Sequence, residues 1–423
     1  MNSDLQSPFS TYGEFAHLLY ATGSITDPWL DGNERFRTSP MLLSGNEYSS
    51  FCTAAESIGT LYEELCRLTL EHPEWLDDFY HLTPYEKYLW HSSEGRWHGI
   101  ARVDVFRLAD GSLKIAEMNS DTPSGEAEAV VLNHLLHHCS PGTIDPNNGF
   151  AEKFYSMLIA SHRAIKNGPA CPAIGILYPT EMPEDLSMIA LYRAWLEERG
   201  CKVVLGSPFN LQQSANGRVK LFDIELDILI RHYKTDWWAE RTPVWRDEPP
   251  LPDADPLSKQ LRMLFEAELA GHLTVVNPFG AVLTQNKLTL AFFWQHMELF
   301  SLQSQQTIRS LIPESIRLTD SPIGTLPKDD WVLKSDYGCE GDEVIIGKDV
   351  PETIWEESCM SALPDRWIVQ RRFEAAQTAD EYIPNFGVFL IAGRAAGIYT
   401  RLSKSATDHT AIALPTYIQQ ENR

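Results

Sequence analysis

Asp110-Gly111 stands between two alternating apolar runs, Ile100 to Leu108 and Leu113 to Asn119, and constrains this chain more tightly than any other local feature. Asp-Gly in that setting signals a two-residue β-hairpin, whose loop pairs residues with numbers that add to a constant. The resulting register sets Asp104 opposite Glu117 and Arg102 opposite Asn119, with Phe106 opposite Ile115 and Leu108 opposite Leu113 nearer the turn. One face of the hairpin therefore changes from apolar to ionisable as it leaves the turn.

Directly opposed carboxylates have Cβ atoms about 5 Å apart, and like charges there destabilise a sheet unless something neutralises them. A divalent cation does so. Oxygens from Asp104, Glu117 and the Asn119 carbonyl suit a hard ion such as magnesium, whose other ligands are usually waters and substrate phosphates. The alternative is a solvated edge hairpin in which Arg102 bridges the acids.

The rest of the chain narrows the setting. Its 423 residues exceed the usual size of one domain. A formal charge of -23 argues against nucleic-acid and anionic-membrane partners, which need clustered Lys and Arg. A cationic small molecule is more compatible, although acidity also serves solubility alone. The seven cysteines are scattered and form no C-x-x-C pair, which fits a reducing cytoplasm. The start, MNSDLQSPFSTYGEF, lacks the pattern of a signal peptide, and no run approaches ~18 apolar residues.

Apolar positions at helical spacing from Ala54 to Leu70 predict a helical layer before the hairpin, packed with help from Trp75, Trp90 and Trp97. After Asn119, DTPSGEAEAVVLNHLLHH reads as a turn and a helix with Ser124, Glu126 and Glu128 at its start. Its exposed N–H groups could hold a substrate carboxylate, with N-capping by Ser124 as the simpler role. From Pro172, AIGILYP, a helix through Leu191 to Glu198, CKVVLGSP and LDILIRHY form the pattern of a small parallel α/β unit without a G-x-G-x-x-G fingerprint. Asp236 to Asp255 reads as an irregular connection, followed by helices from Leu257 to Leu269 and from Asn286 to Phe300. The last third is again strand-rich, with a turn at Gly393.

Lys334 ends an apolar strand and leads into Tyr337-Gly338-Cys339-Glu340-Gly341, after which Val344 to Ile346 begins a second strand. A glycine-rich loop between antiparallel strands can lay N–H groups over phosphates while a lysine supplies charge. The order is not that of a Walker loop, because the lysine precedes the glycines. A bulged structural hairpin is the plainer reading. Lys287 opens the helix of QNKLTLAFF, where a surface charge is the alternative. His134 and His138 share i, i+4 spacing but lack the Glu of H-E-x-x-H, so a polar helix face suffices for them.

Taken together, R-x-D, E-x-N-x-D-T-P, N-P-x-x-A-V-L-x-x-N-K, K-x-x-Y-G-x-E-G, I-V-Q and the closing G-I-Y-x-R-L-S resemble the glutathionylspermidine synthase family of ATP-grasp ligases, from about Trp97 onward. The resemblance implies an α/β (α+β) ATP-grasp fold with a small parallel-sheet pre-ATP-grasp unit and an antiparallel glycine-loop lid. It divides the chain into a helical layer plus metal-binding hairpin at 1–165, a pre-ATP-grasp-like unit at 166–270, and a nucleotide-binding region at 271–423 with its lid at about 330–375. By position, Asp104, Glu117 and Asn119 match magnesium ligands, and Arg102 and Arg401 match arginines near the transferred phosphoryl group. Lys287 and Lys334 match nucleotide-phosphate lysines, Gly338 and Gly341 belong to the lid, and Gln370 lies on the strand lining the adenine pocket. Asp121, Thr122 and Ser124 fall where the family binds its thiol peptide.

The implied reaction joins a carboxylate, glutathione or a related peptide, to an amine such as a polyamine, through an acyl phosphate. ATP is the co-substrate and a pair of magnesium ions the cofactor. Another acid and amine in specialised biosynthesis, or a catalytically silent nucleotide-binding homologue, are the competing readings. Cys339 stands where many members have a lid arginine, which puts the acid substrate in doubt. Only about 95 residues precede the hairpin, too few for the amidase of bifunctional relatives, so product hydrolysis is not expected. Oligomeric state is not legible.

Overall fold

The computed structural model describes residues 9–165, 171–180, 185–238, 257–321, 326–338, 344–363 and 366–420. The hairpin is the edge of a five-stranded antiparallel sheet with the order Ile412–Leu414, Arg394–Ser403, Ile383–Ile391, Ile100–Arg107, Leu113–Asn119. The strand that bears Asp104 is thus internal, hydrogen-bonded to the Ile383–Ile391 strand on its other side, and the strand that bears Glu117 is the edge. The solvated-edge alternative fails for Asp104, which is 3% exposed.

The register holds at the acids and slips near the turn. Arg102 pairs with Asn119 and Asp104 with Glu117, but Val105 pairs with Ile115, Phe106 with Lys114 and Arg107 with Leu113. Leu108 N–H donates to Ser112, so the loop holds three residues, and Gly111 takes the left-handed φ of 85° that such a loop needs. A shift of one residue alone would turn every later side chain to the wrong face. The irregularity between Asp104 and Val105, with Ala116 as the extra residue, absorbs it and returns Glu117 to its place.

A 27-residue helix, Gly45–Glu71, covers this sheet through Phe51, Ala55, Ile58, Tyr62 and Leu65. It starts earlier than its apolar period suggests because Ser44 and Glu47 form a capping box. Phe51 stacks on Phe386 at 4.6 Å, and Trp90 and Trp97 are buried in the same core. Ahead of the helix, Met41–Leu43 pairs in parallel with Thr416–Gln419.

The second sheet is parallel, as the βαβ pattern predicts, in the order Thr274–Val276, Ile228–Arg231, Ala173–Leu177, Lys202–Gly206. Leu186–Glu198 is the crossover helix, and Thr274–Val276 is a strand that the sequence reading missed. A third, antiparallel sheet has the order Ser315–Arg317, Trp367–Arg371, Trp331–Ser335, Val344–Ile346. Helix Glu352–Ala362 closes it over a separate core that includes Trp331, Leu333, Trp355, Cys359 and Val369. Among the described residues no helix is long and apolar enough to cross a membrane.

Asn277, directly after the last parallel strand, ties two sheets together. Its Oδ1 accepts from the N–H groups of Gly99 and Ile100 at 2.7 and 2.9 Å, and its Nδ2 donates to the carbonyls of Ile100, Ser120 and Asp121. One buried side chain therefore fixes both the entry to the hairpin and the exit from it.

Candidate active site

Asp104 is the centre of the site. Its Oδ1 accepts from Arg102 Nε at 2.9 Å, and its Oδ2 accepts from Arg401 Nη2 at 2.7 Å and Asn385 Nδ2 at 3.2 Å. Burial opposes the charge, but Arg102, then Arg401, outweigh it and hold the carboxyl well below the usual range. Gly387 makes this cluster possible: a Cβ there would lie 2.7 Å from Arg102 Cδ. Arg102 also donates from Nη1 to the Ser124 carbonyl at 2.5 Å, which connects the hairpin to the turn that follows it.

Glu117, across the strand pair, faces the lysines. Lys287 Nζ lies 3.4 Å from Glu117 Oε2 and donates to the Gly338 carbonyl. Lys334 Nζ donates to Gln370 Oε1 at 2.8 Å and to the Ala116 carbonyl at 3.3 Å, so the bulge directs a backbone acceptor towards the lid strand. Burial lowers the Lys334 ammonium to about 8; Glu117 pulls it back and Lys287 adds to the fall. Lys287 is 4% exposed, which rules out a surface charge. Gln370 also donates to Ser315 Oγ at 3.1 Å and fixes the position of Lys334. Gly338 is held by Ser335 Oγ at 3.0 Å, while Gly341 and Cys339 lie outside the described residues.

The turn after the hairpin departs from expectation. Asp121 offers no free carboxylate: Oδ1 accepts from Arg231 Nη2 at 2.6 Å and Thr235 Oγ1 at 2.5 Å, and Oδ2 accepts from Thr235 N–H at 2.6 Å. It is a clasp to the parallel sheet. Thr122 lines, with Asp121, Tyr192, His232 and Asn277, a cavity of about 20 Å³, room for one water. The helix is Glu126–Leu136, and its N-cap is Gly125 at φ 100° with no side-chain cap, so Ser124 does not fill that role. Any Cβ on Gly125 would sit 2.4 Å from the Tyr399 ring.

The two glutamates that could repel an anion at that helix start are both compensated. Glu128 pairs with Arg35 at 2.6 Å, and Glu126 is wholly buried and accepts from the Tyr192 hydroxyl at 2.8 Å. Burial raises the Glu126 carboxyl to about 7, against its own backbone N–H and the Tyr192 hydroxyl, which lower it. A raised carboxyl favours the folded state most while it is protonated. Its contribution is complete below about 4.5, the ordinary value, and is lost as pH rises to about 7, by at most ~3 kcal/mol. Thermal unfolding at pH 5 and pH 8 should therefore show Glu126→Gln gaining on the parent chain at the higher pH. An equal offset at both pH values would contradict this.

Two carboxylates and the Asn119 carbonyl form an all-oxygen donor set, which fits a hard divalent cation completed by water and phosphate. Asn119 donates from Nδ2 to Glu117 Oε1 at 3.3 Å, which leaves its carbonyl for a ligand. Among the described residues no group of three His, Cys, Asp or Glu side chains is arranged for a metal. Sequence reasoning missed Asn385, Asn277 and Arg231. Asn385 left a signal, a lone amide near the start of the apolar run IPNFGVFLI.

This mixed α/β fold, an antiparallel core sheet that carries opposed acids, a parallel unit and a separate antiparallel sheet, is consistent with that of the ATP-grasp-like ligases. The profile of the family described as glutathionylspermidine synthase preATP-grasp matches residues 41–419, and the chain belongs to that family. The match begins well before Trp97, where the motifs start. Among solved structures, a glutathione synthetase like-effector from Globodera pallida in apoform superposes with a TM-score of 0.62 at 12% identity over 99% of this chain and 98% of that one. A putative gamma-glutamylcysteine synthetase from Methylobacillus flagellatus KT is looser, with a TM-score of 0.45 at 12% identity over 85% of each chain. No curated protein matches the sequence.

Proposed function

We propose that the chain is an ATP-dependent carboxylate–amine ligase that forms an amide through an acyl phosphate. The observation that carries this reading is electrostatic: in a chain of charge -23, four cationic side chains, Arg102, Arg401, Lys287 and Lys334, gather about two carboxylates. Such a local excess of positive charge suits a polyphosphate. Lys287 and Lys334 take the nucleotide phosphates, Gly338 covers them, and Gln370 lies beside the base. The nucleotide region, residues 271–423, shares the five-stranded sheet with the hairpin of residues 1–165 and lends Thr274–Val276 to the parallel sheet of residues 166–270.

Asp104, Glu117 and Asn119 are the residues that would hold magnesium, which when bound would supply positive charge to the phosphate oxygens. The acid substrate lies against the turn at Thr122 and Ser124, with Asp121 as that turn's anchor. Its carboxylate oxygen attacks the γ-phosphorus, the bond to the ADP oxygen breaks, and Arg102 and Arg401 offset the charge on the transferred group. The amine nitrogen then attacks the acyl carbon, phosphate leaves with the bonding pair, and the nitrogen loses a proton. A glutathione-like peptide and a polyamine are the substrates the family favours.

Calorimetric titration with ATP, with and without magnesium, tests the nucleotide site, and ADP release on paired acids and amines tests the ligase. Magnesium-dependent ATP binding and ADP release that needs both partners are expected. ATP binding without turnover for any pair would favour a silent homologue, and no ATP binding would overturn the reading.

A further inference from the structure

Among the described residues, three side chains hydrogen-bond to Asp104, and only one of them is uncharged. Asn385 is 1% exposed in a strand whose other inward positions are apolar. It is the register partner of Arg401 on the neighbouring strand, and both donate to the same oxygen, Asp104 Oδ2. The amide orientation is forced, because its oxygen cannot face a carboxylate. Its Oδ1 has no hydrogen-bond partner among the described residues.

A cation at Asp104 would separate these two partners. A guanidinium and a divalent ion on one carboxylate oxygen would repel strongly at about 4 Å, and both Arg401 Nη2 at 2.7 Å and Arg102 Nη2 at 3.5 Å reach Oδ2. A neutral amide has no such conflict. Its N–H occupies one lone pair of Oδ2 and leaves another for a ligand, as hydrogen-bond donors beyond a metal's own ligands commonly do. Resting on the ligase reading above, we propose that Asn385 is the positioning residue of Asp104, the uncharged donor that can hold the carboxylate in orientation while a cation occupies it.

The test is Mn²⁺ binding by electron paramagnetic resonance with the full chain and ATP. Asn385→Leu, similar in shape, should weaken Mn²⁺ binding by roughly 10- to 100-fold while the circular dichroism spectrum stays that of the parent chain. Asn385→Thr, suited to a strand but too short to reach Asp104, should show the same loss and serves if the Leu variant does not fold. Unchanged Mn²⁺ affinity in a folded variant overturns this proposal and leaves the ligase reading standing. Failure of the parent chain to bind Mn²⁺ with ATP overturns both.

Discussion

Glu117→Gln is expected to cut ADP release by about 10²–10³-fold or more while the circular dichroism spectrum stays that of the parent chain. The substitution preserves shape and removes one of the two carboxylates in the proposed metal set. The Glu117 side chain is about one quarter exposed and lies 3.4 Å from Lys287, so the lysine that loses its partner retains water and the Gly338 carbonyl. Asp104→Asn should be at least as inactive, but for a mixed reason. It leaves Arg102 and Arg401 buried beside an amide, and the loss of a buried counter-charge costs about 3–5 kcal/mol of stability. Glu117→Gln is thus the cleaner probe of chemistry. Turnover at the parent rate in that variant would remove Glu117 from the metal set.

Asp121→Ala should be among the most destabilising single changes in the chain, by about 3–5 kcal/mol in urea unfolding. Arg231 is wholly buried, and its carboxylate partner is Asp121 at 2.6 Å; its remaining hydrogen bonds go to the carbonyls of Tyr233, Asn277 and Pro278. Removal of Asp121 takes away that cation's ion-pair partner among the described residues and also strips two bonds from Thr235. Asp121→Leu combined with Arg231→Met should recover much of the loss, since an apolar pair of similar volume often replaces a buried ion pair without penalty. A single-variant effect below about 1 kcal/mol would show that the clasp does not carry this interface.

Much of the site could be read in advance because its signals are local. Asp-Gly punctuation and strict alternation put Asp104 opposite Glu117, and the structure pairs them. The strand–glycine–strand order around Lys334 gave the antiparallel lid strands in the same way. The error lay where two local rules met: the turn took three residues, and a bulge at Ala116 compensated. Either change alone would have inverted the face. The sequence shows no mark of their cancellation.

Asn385, Arg231 and Asn277 escaped for a different reason. Alternation says which face a residue occupies but not which strand lies beside it, and each of these acts on a partner more than 40 residues away in sequence. Lys287 shows the same limit: it reads as a helix-end charge and is buried against Glu117 and the lid. By itself the sequence determined the hairpin, the parallel unit and the residue types of the candidate site, since turn chemistry and periodicity act over a few residues. The tertiary structure alone decided that the Asp104 strand is internal, that Asp121 is an anchor, and that two arginines and an asparagine close on one carboxylate. Those outcomes depend on which distant strands share a sheet, and only burial and charge pairing over the whole chain select among the possible neighbours.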